Sequence, residues 1–172
     1  MNDLAAMIRA VPDFPRAGVM FRDVTPLLAD PVRFAHCIEA MAAPWRELAV
    51  QAIAGVEARG FIFGVALARA LNTGFVPLRK SGKLPPPVAT VEYQLEYGID
   101  QLQVQRDAFN PAQRVLLVDD VLATGGTLIA AATLIEDVGA RLLGASVVIE
   151  LTSLAGRRHW GPGKPLYSLL QY

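Results

Sequence analysis

Apolar residues fall in short runs along this chain, and two periodicities alternate between them. Ala52 to Val56, Phe75 to Leu78, Val115 to Val118 and Leu143 to Leu151 are near-continuous apolar runs, the pattern of strands buried on both faces. Phe61 to Leu71 and Thr127 to Val138 instead carry apolar residues at helical spacing, the first ending near Asn72-Thr73-Gly74 and the second at a C-cap glycine, Gly139. Pro31 to Met41 predicts a helix with proline in its first turn and Asp30 as N-cap. Asp3 to Ala10 predicts a short helix stopped by Val11-Pro12, and Pro12 to Leu28 an irregular arm. Val91 to Gln105 alternates and turns at Tyr97-Gly98, which predicts a hairpin, and Tyr167 to Leu170 predicts a last strand.

Strands that alternate with helices predict an α/β fold: one domain over residues 1–172, with a mainly parallel central sheet flanked by helices. In such sheets ligands bind beyond the carboxyl ends of the strands. The residues that follow each strand are therefore where chemistry is to be sought.

Composition narrows the classes. With 53% hydrophobic and 19% charged residues the chain reads as a globule rather than a disordered segment. Its formal net charge of +0 argues against a general nucleic-acid binder, which needs a basic excess to neutralise phosphates. A lone cysteine, Cys37, forms no internal disulfide and reads as a buried apolar residue in a reducing compartment. The first residues lack the pattern of a secretion signal, and no apolar run approaches a bilayer span, so a soluble, cytoplasmic protein with no membrane partner is expected. His36 and His159 share no metal-ligand spacing with Cys37 and read as structural or surface residues.

The most informative segment is residues 115–127, VLLVDDVLATGGT. An apolar strand ends in two carboxylates, and a small-residue loop then opens a helix. A helix start offers free N–H groups and a positive dipole end to a phosphate, Gly125 and Gly126 permit close backbone approach, and Thr124 and Thr127 add hydroxyls. Adjacent carboxylates are costly unless they meet donors or a cation, which sugar hydroxyls and Mg2+ would supply. No lysine follows Gly126 as a Walker loop requires, and no GxGxxG is present.

This segment resembles the phosphoribosyl pyrophosphate (PRPP) signature of type I phosphoribosyltransferases. The resemblance implies that fold, that Asp119 and Asp120 hold the ribose hydroxyls, and that Ala123, Thr124, Gly125, Gly126 and Thr127 hold the 5′-phosphate. Further segments resemble the adenine-using branch of the family, in the same order: FPRAGVMFRDVTPLL (14–28), EARGFIFG (57–64), PLRKSGKLP (77–85), YQLEYG (93–98) and ELTSLAGR (150–157). They imply purine salvage: adenine and PRPP give AMP and pyrophosphate, with Mg2+ and in a homodimer. Residues 1–28 would form a hood over the base, with Met20, Phe21, Arg22 and Leu151 around adenine. Arg59 would meet the pyrophosphate, with Arg79, Lys80 and Lys83 adding cationic contacts. Residues 80–106 would form a flexible lid loop and hairpin carrying Tyr97 and the acid/base candidate, Glu96. In this lid, Val88-Ala89-Thr90 departs from the hydroxyl-bearing residues that relatives often carry. Two other readings stay open: transfer to another base such as xanthine or guanine, and a non-catalytic PRPP-sensing regulator.

Overall fold

Every buried run becomes a strand of the central sheet, and the helical runs pack on its two faces. The computed structural model describes residues 2–94, 98–161 and 163–172. In chain order the elements are α1 (Asn2–Ala5), β1 (Arg9–Val11), β2 (Phe21–Asp23), α2 (Thr25–Ala29), α3 (Pro31–Ala42), β3 (Ala52–Val56), α4 (Gly60–Ala70), β4 (Gly74–Lys80), β5 (Val88–Gln94), β6 (Ile99–Gln105), β7 (Arg114–Leu122), α5 (Gly126–Asp137), β8 (Arg141–Glu150) and β9 (Leu166–Gln171). Short 3-10 turns cover Ala43–Leu48, Thr152–Leu154 and Gly156–His159.

Among the described residues the main sheet runs β5-β6-β4-β3-β7-β8-β9. The β4-β3-β7-β8-β9 part is parallel, and β5 and β6 form an antiparallel hairpin on the β4 edge. From β3 the chain crosses to β4 on one side, while β7 lies on the other. The order reverses between β3 and β7, so their carboxyl ends open the crevice in which doubly wound sheets bind ligands.

Strand alternation splits the core into two layers. Ala52, Ala54, Val115 and Leu117 face α5 and the hairpin. Ile53, Leu116 and Val118 face α3 and α4. Asp30 caps α3 as the sequence predicts, its carboxylate accepting from Val32 N and Arg33 N. Gly139 takes the left-handed conformation just past α5, with φ 84°. Cys37 is buried on α3, and burial pushes its thiol up to about 12.

Three expectations change. The Asp3 to Ala10 helix stops at Ala5, because residues 9–11 pair antiparallel with the FRD segment: Arg9 opposite Asp23, and Val11 opposite Phe21. Tertiary pairing overrides local helical preference there. The arm 12–28 is accordingly ordered around β2 and α2. The third change is in β7, which does not end at its carboxylates: it continues to Leu122, paired with β8 through Leu122 and Glu150, so Asp119 and Asp120 lie inside a strand.

Leu117 is completely buried at the sheet centre. Leu117→Ala is expected to cost about 3 kcal/mol in guanidinium unfolding, by lost transfer energy plus the cavity left behind. A loss under about 1 kcal/mol would place the core elsewhere.

Candidate functional site

The turn after β7 is shaped by two glycines that meet. Gly125 precedes α5 with φ 91°, and a side chain on it would stand 2.7 Å from the carbonyl oxygen of Gly156. A side chain on Gly156 would in turn strike the carbonyl of Ala123. The turn is thereby held open as a small cavity of about 70 Å3, lined by Ala123, Thr124, Gly125, Gly126 and Thr127 and reaching Asp119. The first-turn N–H groups of α5 and its dipole end favour an anion here, and Thr124 and Thr127 line the same volume, which suits one phosphate. His159 Nδ1 lies 3.1 Å from the Thr124 carbonyl and braces the turn from outside.

A larger cleft of about 360 Å3 shares Asp119, Ala123 and Thr127 with that cavity. Its acids are Glu57, Asp100, Asp119 and Asp120, and its cations are Arg59 and Lys80. Gly60 lets the β3–α4 turn lie against β7: a Cβ there would stand 2.8 Å from Asp119 Oδ1. Burial first, and then the charge of Asp120, push the Asp119 carboxyl well above the usual range. Burial also raises Asp120, against the pull of Arg59. Arg59 Nε is 2.7 Å from Asp120 Oδ2, yet that buried oxygen accepts no hydrogen bond among the described residues, because the approach is off the hydrogen-bond direction. A buried carboxylate oxygen in this condition favours a ligand that brings hydroxyl donors.

A second basic group gathers on Glu57, at the end of β3. Its carboxylate accepts from Lys80 N at 2.9 Å and Arg79 Nε at 3.3 Å, and pairs with Lys83 Nζ. Burial would raise this carboxyl, but Lys83, the Lys80 N–H and Arg79 outweigh it and hold it at about 2.

Met20, Arg22 and Leu151 line one cavity of about 330 Å3 with Tyr172, over whose ring the Arg22 guanidinium sits at 4.0 Å. Phe21 leaves β2 on the opposite side. It packs edge-on to Phe14 at 5.1 Å, lies 5.3 Å from Arg59 and lines a separate, more apolar cavity with Val24 and Ile62.

A sequence profile of the phosphoribosyl transferase domain matches residues 24–162. The adenine phosphoribosyltransferase of Xanthomonas euvesicatoria pv. vesicatoria (strain 85-10) is 50% identical over 171 residues, covering 99% of this chain and 92% of its own. The chain belongs to the adenine phosphoribosyltransferase family. The crystal structure of the Rhodothermus marinus DSM 4252 adenine phosphoribosyltransferase superimposes with TM-score 0.95 at 44% identity, covering 99% of this chain and 97% of its own. The Saccharomyces cerevisiae adenine phosphoribosyltransferase, solved with an imino-altritol bisphosphate and adenine, superimposes with TM-score 0.93 at 38% identity, covering 98% and 97%.

Of the residues expected from the sequence, Asp119, Asp120, Arg59, Lys80 and the 123–127 turn come together around the cleft and its phosphate-sized cavity. Arg79 and Lys83 turn to Glu57 instead. Met20, Arg22 and Leu151 share a wall, while Phe21 stands apart from it. Glu96 and Tyr97 lie outside the described residues. Sequence reasoning places Glu57 only within the loop expected at the pyrophosphate and assigns no role to Tyr93, Asp100 or Gly156, all of which the fold brings to the cleft or to the turn before α5. Glu57 opens the EARG motif, the one signal that could have marked it.

Glu57 yields a pH prediction. Its folded value of about 2 lies below the ordinary 4.5, so its stabilising contribution is full above about pH 4.5 and is lost as pH falls through about 2. Urea titrations should show wild type more stable than Glu57→Gln at pH 6, with the gap closing towards pH 2; a gap independent of pH would remove the ion cluster as its cause.

Proposed function

We propose that this chain transfers the 5-phosphoribosyl group of PRPP to adenine, giving AMP and pyrophosphate. The observation that carries the reading is the junction of a phosphate-sized cavity at the start of α5 with a cleft that sets the adjacent Asp119 and Asp120 carboxylates beside Arg59 and Lys80. It suits a sugar bearing a phosphate at one end and a pyrophosphate at the other. The identity to adenine phosphoribosyltransferases supports adenine as the acceptor, as does the adenine-bound yeast relative.

In this reading Asp119 and Asp120 hold the ribose hydroxyls, and Ala123 to Thr127 hold the 5′-phosphate. Arg59 and Lys80 face the pyrophosphate, with Arg79 and Lys83 supporting the same basic edge. Residues 1–28 form a hood, in which Met20 and Arg22 stand with Leu151 on the base side and Phe21 faces the neighbouring cavity. Residues 80–106 form the lid. At the anomeric carbon the bond to the pyrophosphate oxygen breaks as the bond to adenine N9 forms, and the N9 proton is lost. Positive charge builds on the sugar ring as in other glycosyl transfers. The cations of the cleft oppose the charge of the leaving group. Glu96, with Tyr97 beside it, exchanges a proton with the base from the lid. Asp119 and Asp120 are hard oxygen donors, which fits a Mg2+ carried chiefly by the donor's phosphate oxygens and touched by one or two carboxylates. Bound there, the ion would neutralise the leaving pyrophosphate.

We place the enzyme in the cytoplasm as a homodimer working on small molecules, without nucleic acid or membrane. Among the described residues no helix is long and apolar enough to cross a membrane.

Radiolabelled adenine should yield AMP only with PRPP and Mg2+ present, and guanine and xanthine should be poor acceptors. Turnover of either in preference to adenine would reassign the base, and tight specific binding of DNA without turnover would favour a PRPP-sensing regulator. Glu96→Gln should lower kcat by about 100-fold, the scale of one positioned proton donor, with donor affinity changed less than about threefold. Full turnover in that variant would remove Glu96 from the chemistry.

A further inference from the structure

The cations of the cleft do not wait free for an anion. Arg59 lies against Asp120, and Lys80 Nζ lies 2.9 Å from Asp100 Oδ2. Asp120 is buried within β7 and cannot swing away. Asp100 is different. It stands on β6, in the hairpin at the sheet edge, and lines the same cleft as Asp119 and Asp120. Its side chain is 21% exposed and that of Lys80 50%. The carboxylate also accepts from Tyr93 OH at 3.3 Å and from Gln101 N at 2.8 Å, so it stays well solvated by protein donors if Lys80 leaves.

We propose that Asp100 is a built-in counter-ion that competes with pyrophosphate for Lys80 and so weakens retention of the anion in the cleft. The inference rests on the reading of this cleft as the pyrophosphate side of the PRPP site. The physics is a comparison of partners. In the free protein the half-exposed Lys80 ammonium is paired with a carboxylate on a separate element; an incoming anion must replace that pair and must also approach a fixed negative charge. Tighter binding is thereby given up, which shortens the stay of an anion that has to depart after each turnover. Asp100 is a positioning residue here: it acts on the anion through Lys80 and takes no part in bond making.

The test is calorimetric titration of inorganic pyrophosphate with Mg2+ into wild type, Asp100→Asn, Lys80→Met and the double variant. Asparagine keeps an oxygen acceptor for the Gln101 N–H, and its amide nitrogen can donate to the Tyr93 hydroxyl oxygen, so the hairpin is retained. Asp100→Asn should tighten pyrophosphate by about two- to fivefold, the range expected for a partly exposed pair. The gain should vanish in the Lys80→Met background, and Asp100→Glu should restore wild-type affinity. In the steady state the KM for PRPP should fall in Asp100→Asn while kcat does not rise. Unchanged or weaker pyrophosphate binding by Asp100→Asn overturns the inference while leaving the site reading intact. A wild type that binds no pyrophosphate overturns both.

Discussion

Two neighbouring carboxylates in a buried strand constrain this molecule more than any other feature. Because β7 runs on past them to Leu122, Asp119 and Asp120 cannot both turn to water. Their carboxyls are raised by burial and, at Asp119, by the neighbouring charge, with Arg59 as the opposing cation. Such a pair is tolerable where a ligand supplies hydroxyl donors and positive charge, and destabilising where it does not. The surrounding backbone accommodates it. Gly60 has no side chain because Asp119 occupies the space a Cβ would need, and Gly125 has none because Gly156 does. Two turns from different parts of the chain are thus brought against one strand end, at the position where the order of the sheet reverses.

The zero net charge acquires meaning from this arrangement. A site for a polyanion in a neutral protein has to concentrate its cations locally, and local concentration of like charge is itself unfavourable. The structure resolves the conflict by pairing: Arg79 and Lys83 with Glu57, Lys80 with Asp100, Arg59 with Asp120. These pairs differ in how firmly they hold. Glu57 is nearly buried and also accepts the Lys80 N–H, so it fixes the basic edge to β3. Asp100 is more open and lies on the hairpin. A cleft built this way is ordered before its ligand arrives, and only part of its charge pairing has to be exchanged on binding.

Period and composition make the sheet and its flanking helices legible in the sequence, because the apolar runs at 52–56, 75–78 and 115–118 read as strands of a covered sheet; the first and third are buried throughout, while in the second only Leu78 is and its neighbours are half-buried. The phosphate turn is legible for a related reason: a helix start preceded by small residues has a chemical meaning that holds without its surroundings. What periodicity does not carry is pairing between distant segments. The strand at Arg9–Val11 exists because the FRD segment lies beside it, and nothing local to residues 9–11 announces that partner. Asp100 and Gly156 are equally silent: one is an ordinary hairpin carboxylate and the other a loop glycine until the fold sets them against Lys80 and the 123–125 turn. Arg79 and Lys83 illustrate the reverse case, since a run of cations points to phosphate while Glu57 takes two of them.

In the proposed function, the segment after β8 is what would hold base and sugar phosphate in register. Glu150, buried at the end of that strand, accepts from Arg157 at 2.8 and 2.6 Å and from Ser168 Oγ at 2.6 Å, while Arg157 also donates to the Leu166 carbonyl at 2.7 Å. The guanidinium holds the Glu150 carboxyl below its usual range, so the pair stays charged and the turn from 151 to 157 is pinned at both ends. Within that turn, Leu151 lines the Met20–Arg22 cavity and Gly156 abuts the phosphate turn. One short, doubly anchored loop therefore contributes to the Met20–Arg22 cavity and to the support of the turn that opens α5. The spacing between the two is set by covalent chain length and by an ion pair, rather than by the softer packing of the arm, which is what a transfer that must align a planar base with an anomeric carbon requires.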